Sequence, residues 1–455
     1  MRDSVERVAT SMRHSQTLRI LSVGFLALLL QIPVSMIDGL VRERQQRRDV
    51  AVGDVSSKWG NAQSLTGPAL VVPYQHRWVE ASGSSQVVRT ETRHAIFLPE
   101  QLRIRGTMRS EVRRRGIFSV PVYTLPLEIE GEFARPSFQE LGVDASAVDW
   151  SRVHVAMGIS DARAIQRQTT LTWNDTRSDF LPGTRGFTDA GSGIHAPVAM
   201  SAATDRVRFA FPLALNGSLR VDVVPFGRTT DVQLAGDYGH PSFQGKWLPA
   251  QRTVERDRFS ARWSVSFLGR SYPQSWTSAQ GMEEAIGGSR FGVELVDPVD
   301  HYHMAARSVK YAGLFIVLTF ATLWLIEVLS GVRVHPIQYL LLGGALCLFN
   351  LLELSLSEHL GFPAAYALAS LLVIGMVGAY SLAVLRRRVH ALVVAAGVAL
   401  LYAYLYLLLM NEDYALLIGS IGLFTILGAI MFVTRRVDWY AVGVRTPSEP
   451  TIARE

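Results

Sequence analysis

Thiol chemistry is almost absent from this 455-residue chain: its one cysteine, Cys347, lies inside an apolar run. No intrachain disulfide, thiolate metal site or Cys-x-x-Cys redox pair can be built from it. That is compatible with an exported bacterial domain without requiring one. The short motifs of the commonest chemistries are missing as well: G-x-S-x-G, H-E-x-x-H, G-x-x-x-x-G-K-S/T and G-x-G-x-x-G do not occur. The formal net charge of +6 is not gathered into a basic stripe, so no nucleic-acid partner is expected. No repeat at a solenoid or propeller period is present.

What is present is an uneven distribution of apolar residues. Residues 18–37 form an apolar run, long enough at 1.5 Å per residue to cross roughly 30 Å of hydrocarbon. Arg2, Arg7, Arg13 and Arg19 flank its start, and Asp38-Gly39 followed by VRERQQRR makes a poor cleavage site, so an uncleaved signal anchor is expected. Five further runs occupy 311–329, 337–356, 362–385, 389–410 and 414–433. Arg333, Arg386-Arg387-Arg388 and Arg435-Arg436 fall in alternate connections, whereas SEHLG and NED carry no Lys or Arg. By the positive-inside rule this places both termini in the cytoplasm. Tyr402, Tyr404, Tyr406 and Trp439-Tyr440 suit interface positions, and Gly375, Gly378, Gly419 and Gly422 suit close helix packing.

The expected layout is a cytoplasmic tail over 1–17, a first transmembrane helix over 18–38 and a periplasmic β-rich domain over 39–309. A five-helix transmembrane region over 310–434 and a second cytoplasmic tail over 435–455 follow. The fold class is therefore a six-span α-helical membrane protein with a large β-rich periplasmic domain between spans one and two. Runs such as PALVVPY, RVRFAFPLAL and FSARWSVSF alternate apolar with polar residues, the pattern of strands with one buried face. Two sandwich-like halves are expected, divided near an exposed loop at 183–197.

Four groups of residues are candidates for a site. Asp161 and Arg163, in GISDAR, suit either a charged ligand contact or a capped turn. His240, Phe243 and Trp247, in GHPSFQGKWLP, suit either stacking on a ligand or a corner that fills its own core. His301 and His303 would point to one side of an extended segment, a usable metal-ligand spacing that lacks a third ligand. Glu353, Glu358, His359, Glu412 and Asp413 join those histidines at one expected membrane face, as a proton or cation site or as solvated helix exits. Asn350, Glu353 and Ser357 share one helical face, with Glu353 about 24 Å along its span. On the opposite side, Glu327 is a candidate partner for Arg436. No catalytic residue, metal or cofactor is assigned.

These same stretches carry a likeness. LTGPALVVPY, RRRGIFSVPVY, VAMGISDARAI, GHPSFQGKWLP, VDPVDHY, HPIQYLLLGGAL, LSLSEHLGF and TRRVDWYAV occur in one order along the chain. Through them the sequence resembles the CreD family of bacterial inner-membrane proteins, also called cell envelope integrity proteins. It departs locally at Ala164, Asn350 and Glu353. The resemblance implies an inner-membrane protein under envelope-stress or nutrient-responsive control, linked to envelope integrity and to tolerance of colicins or β-lactams. It supplies no catalytic residue. The expectation is a non-enzymatic protein resting in the lipid bilayer, its β-domain binding an unidentified periplasmic or envelope partner. A small ion-coupled transporter and a membrane-embedded hydrolase or metalloenzyme are the alternatives, and the oligomeric state is left open.

Overall fold

The computed structural model describes residues 16–82, 85–188, 191–296, 300–330, 332, 334–385 and 387–435. Arg2, Arg7, Arg13, Arg333, Arg386, Arg436, Trp439 and Tyr440 therefore lie outside the described residues. Helices run over α1 (Gln16–Leu29), α2 (Gln31–Trp59), α3 (Glu283–Gly287), α4 (His301–Ser330), α5 (Pro336–Leu360), α6 (Phe362–Leu385), α7 (Arg388–Met410) and α8 (Ala415–Thr434). Six helical segments are long and apolar enough to cross a membrane: Ile20–Trp59, across α1 and α2, and each of α4 to α8. The chain divides into two compact units, one of residues 48–298 and one of the flanking residues 1–47 and 299–455.

The first apolar run is helical as expected, but the helix does not stop at 38. It continues to Trp59, so residues 39–59 are helical and the first strand begins only at Gln63. Hydropathy misses this stretch because its stability comes from i,i+4 ion pairs. Arg42 pairs with Asp38, Glu43 with Arg47 at 2.6 Å and Asp54 with Lys58 at 2.9 Å. The interruption at Leu30 has a local cause: Pro33 has no N–H to give the Leu29 carbonyl, and its ring crowds that oxygen. At the other boundary, α4 begins at His301, ten residues before the expected span.

The unit of residues 48–298 is dominated by β-structure, in two sheets around one apolar core. The nine-stranded sheet runs Pro241–Gly245, Phe291–Leu295, Arg220–Val223, Gln63–Ser82, His154–Ile159, Gly193–Pro197 and Leu181–Pro182, with Ser85–Phe97 and Ser275–Thr277 branching from it. The eight-stranded sheet runs Gln251–Val254, Phe259–Ser266, Thr229–Gly236, Gln101–Arg115, Phe118–Ala134, Arg206–Ser218, Thr170–Trp173 and Thr176–Asp179. Burial alternates strictly along Phe259–Ser266, as its sequence dictates. Trp263, Tyr123, Phe133, Phe226 and Phe291 are the largest side chains wholly out of solvent in this core.

Each sheet takes strands from both sides of 183–197, so that stretch does not divide the unit into halves. Its second part is the strand Gly193–Pro197, four of whose residues are buried. Gly193 holds φ +143°, and a side chain there would run into the Met157 carbonyl. The glycines that read as loop signals are thus what lets this strand enter.

Candidate functional site

In the unit of residues 1–47 and 299–455, the acidic and imidazole residues resolve into three separate contacts. Glu353, on α5, is wholly buried. It accepts a hydrogen bond of 2.6 Å from the Ser308 hydroxyl of α4, and Ser308 also lies 3.3 Å from Asn350 Oδ1. Glu353 Oε1 and the Tyr402 hydroxyl have no hydrogen-bond partner among the described residues. Tyr402 stacks on Phe349 with centroids 4.2 Å apart, and its carbonyl takes a hydrogen bond of 2.6 Å from the Tyr366 hydroxyl. The shared face read for Asn350, Glu353 and Ser357 holds, since all three are buried. A solvated exit does not describe Glu353.

Glu358 forms the second contact, accepting from the Tyr302 hydroxyl at 2.9 Å with Arg44 Nε at 3.6 Å. The third gathers on Glu412, with His303 Nε2 at 3.5 Å and Arg307 at 3.7 Å. Arg307 also donates to the carbonyls of Leu408 and Leu409 at the end of α7, which the helix leaves without internal partners. His359 and Asp413 are exposed. His301 and His303 occupy the first turn of α4, not an extended segment, so two residues apart on a helix they face different directions. His301 packs against Tyr302 instead. Among the described residues no three His, Cys, Asp or Glu side chains come together as a metal site. Glu327 receives the Tyr339 hydroxyl at 3.3 Å.

In the β-unit, Asp161 is a knot. Arg163 grips its carboxylate through Nε at 2.9 Å and Nη2 at 3.1 Å, while Asn61 donates from Nδ2 at 2.9 Å and from its backbone at 3.2 Å. The Arg163 guanidinium holds the Asp161 carboxyl below the usual carboxylate range. Asp161 occupies the cap position of the turn Ala162–Ala164 without making a cap hydrogen bond. His240 is exposed, whereas Phe243 and Trp247 pack edge-on against Trp263 and Phe291 with centroids 5.9 Å apart in each case. This corner fills its own core.

Beside Asp161 opens a cleft of about 400 Å³ that no sequence motif announces. Its floor is the outer face of the nine-stranded sheet. Leu65 pairs with Ile159 and both point into the core, so Ser64, Thr66, Gly158 and Ser160 point outward. The walls come from Phe187, Thr188 and Ser192 on one side and from α3 with Arg290 on the other. The Ser160 hydroxyl donates to the Ala62 carbonyl at 3.0 Å, and Ser192 donates to the Ile159 carbonyl at 2.6 Å. The Ser160 oxygen also accepts from the Ser64 N–H at 2.9 Å, while that of Ser192 keeps its acceptor lone pairs free. Ser64 Oγ has no hydrogen-bond partner among the described residues. On the adjoining strand Arg220–Val223, burial holds Asp222 above the usual carboxylate range although Arg220 bonds it at 2.8 Å. Apart from Ser160, adjoining the expected Asp161, these residues escape sequence reasoning because they come from four distant stretches. The one local signal is hydroxyls alternating with apolar residues at 64–66.

Comparison with known proteins adds a family. The family model described as "Inner membrane protein CreD" matches residues 15–440. The Inner membrane protein CreD of Escherichia coli (strain K12) is 33% identical over 417 residues, covering 91% of each chain.

Proposed function

Because the chain belongs to the CreD family of inner membrane proteins, and so is an envelope-associated, multi-pass inner-membrane protein, we propose that it contributes to envelope integrity as a non-enzymatic protein whose β-unit is a binding module. The observation that carries this is the cleft on the nine-stranded sheet: preformed and open, with hydroxyls and both signs of charge set into a largely apolar lining. Its lining offers hydrogen bonds and charges for holding a ligand rather than an activated nucleophile beside a base. The arginine-rich alternate connections support termini in the cytoplasm and the β-unit in the periplasm. The binding partner is then a component of the periplasm or envelope.

The test is photo-crosslinking in cells, with a photoreactive residue at Thr188 in the cleft and, as control, at Arg262 on the other sheet. An envelope component captured from 188 and not from 262 is the expected result. Equal capture from both, or none, refutes the binding role. A cysteine introduced at Asp257 and labelled from outside by an impermeant reagent tests the orientation, and protection of that cysteine in intact spheroplasts overturns it.

A second reading, an ion-coupled device, is favoured by Glu353, a wholly buried acid with one oxygen unpartnered. Glu353→Gln keeps the shape and hydrogen-bonding capacity while removing ionisation, so loss of complementation at unchanged protein level supports it. Full complementation removes it.

A further inference from the structure

The cleft's chemistry narrows what it can hold. Sugar sites present an exposed aromatic face to the ring, and the only aromatic side chain lining this cleft among the described residues, Phe187, is 7% exposed and packed edge-on against Phe226. What the cleft does present, among the described residues, is one carboxylate and one guanidinium. Glu283 opens the five-residue helix α3, and Arg290 follows that helix. Both side chains are exposed, and neither lies within ion-pair distance of an opposite charge among the described residues.

Between these charges lie groups suited to a peptide backbone. Thr66 offers a hydroxyl with no hydrogen bond among the described residues, whereas the Ser64 hydroxyl is itself buried. Gly158 carries no side chain on the floor, where a Cβ would meet Thr66 and Thr188 at 3.3 Å. The reach agrees as well. Five helical residues span about 8 Å, and an extended chain advances about 3.3–3.6 Å per residue. The Arg290 guanidinium folds back on the end of that helix, its Nη2 3.9 Å from where a Cβ on Gly287 would stand, so two to three peptide residues cover the length of the helix from Glu283 to that group.

We propose that this cleft binds the free, zwitterionic form of a di- or tripeptide, with its amino terminus at Glu283 and its carboxyl terminus at Arg290. The proposal rests on the binding role of the β-unit and adds the class of ligand to it.

The experiment titrates full-length protein in nanodiscs with tri-alanine, N-acetyl-tri-alanine, tri-alanine amide, phosphoethanolamine and cellobiose, read by ligand-observed saturation-transfer NMR. Tri-alanine is expected to bind, and capping either terminus to weaken it about threefold to fivefold, the scale of exposed charge pairs. In Glu283→Gln the amino cap should lose its effect while the carboxyl cap keeps it, and Arg290→Gln should show the converse. Both positions are exposed, so neither change threatens the fold. Equal affinity for capped and uncapped peptide overturns the proposal, as does stronger binding of phosphoethanolamine or cellobiose. No binding of tri-alanine, with an envelope component still captured from Thr188, discards the ligand class and leaves the binding role standing. Failure of both discards both.

Discussion

Two histidines in the β-unit should make it acid-sensitive. His154 and His195 sit diagonally on adjacent strands, His154 opposite Pro197 and His195 opposite Ala156, and their rings meet edge-on 5.6 Å apart. Each Nδ1 lies beside a backbone carbonyl, Arg152 at 3.1 Å and Gly183 at 2.7 Å, which assigns the proton to Nδ1 and leaves Nε2 bare. Both Nε2 atoms are buried with no hydrogen-bond partner among the described residues. Among the described residues the ionisable groups acting on His154 are His195, His94 and Arg185, with no carboxylate among them, and Arg152 in turn acts on His94. Burial therefore pushes His154 down to about 4, and it lowers His195 and His94 as well. An unfolded histidine titrates near 6.5, so on acidification the unfolded state binds protons first. The stabilisation is complete above about pH 6.5 and drains away as pH falls toward 4. For His154 alone, a difference of about 2.5 units at 1.36 kcal/mol each gives about 3 kcal/mol by pH 4 and about 2 kcal/mol at pH 5.

Hydrogen exchange of the full-length protein, corrected for intrinsic rates, reads this directly over 153–160 and 193–198. A loss of about 2 kcal/mol corresponds to roughly a 30-fold rise in opening between pH 7 and pH 5. His154→Gln should abolish most of that pH dependence whatever it does to stability at pH 7. An identical pH response in the variant, or none in the natural chain, refutes the reasoning.

Other outcomes follow from the packing. Trp263→Ala empties the centre of the β-core and should cost about 3–5 kcal/mol, read as loss of folded protein in thermal melts. Asp161→Ala leaves the donors of Asn61 and Arg163 unmatched and should cost about 1–3 kcal/mol, with the 60–64 segment exchanging faster. Arg307→Leu strips two carbonyls at the end of α7 of their donor and should raise exchange at 408–414 while leaving the β-unit unchanged.

The membrane helices were legible because twenty consecutive apolar residues have few alternatives, and the strands because alternation has a period of two. The extent of α2 was not, since charged i,i+4 pairs and not hydropathy carry it past Asp38. Likewise His301 and His303 read as extended when seen as a dipeptide spacing, yet the apolar periodicity downstream propagates a helix back to them. Glu353 was visible as an oddity, but its burial depends on Ser308, 45 positions earlier. The cleft was invisible: Ser64, Gly158, Thr188 and Arg290 mean nothing singly and become neighbours only through sheet pairing.

That pairing also dictates an order of events during synthesis. The central strand Gln63–Ser82 is bordered at its start by Val221–Val223 in parallel, and Phe291–Leu295 lies next, joining the edge strand Pro241–Gly245 to the rest of the sheet. Phe291 and Val293 are wholly buried there. The later part of this strand pairs at once with Ser85–Phe97, but its start must wait about 90 residues for His154–Ile159 and about 160 for Arg220–Val223, the kind of distant pairing that slows folding. The β-unit cannot complete its sheet until Leu295 has emerged, only six residues before α4 begins. A chain stopped anywhere short of that strand exposes an unpaired edge and an open core, so this unit is finished or discarded as a whole.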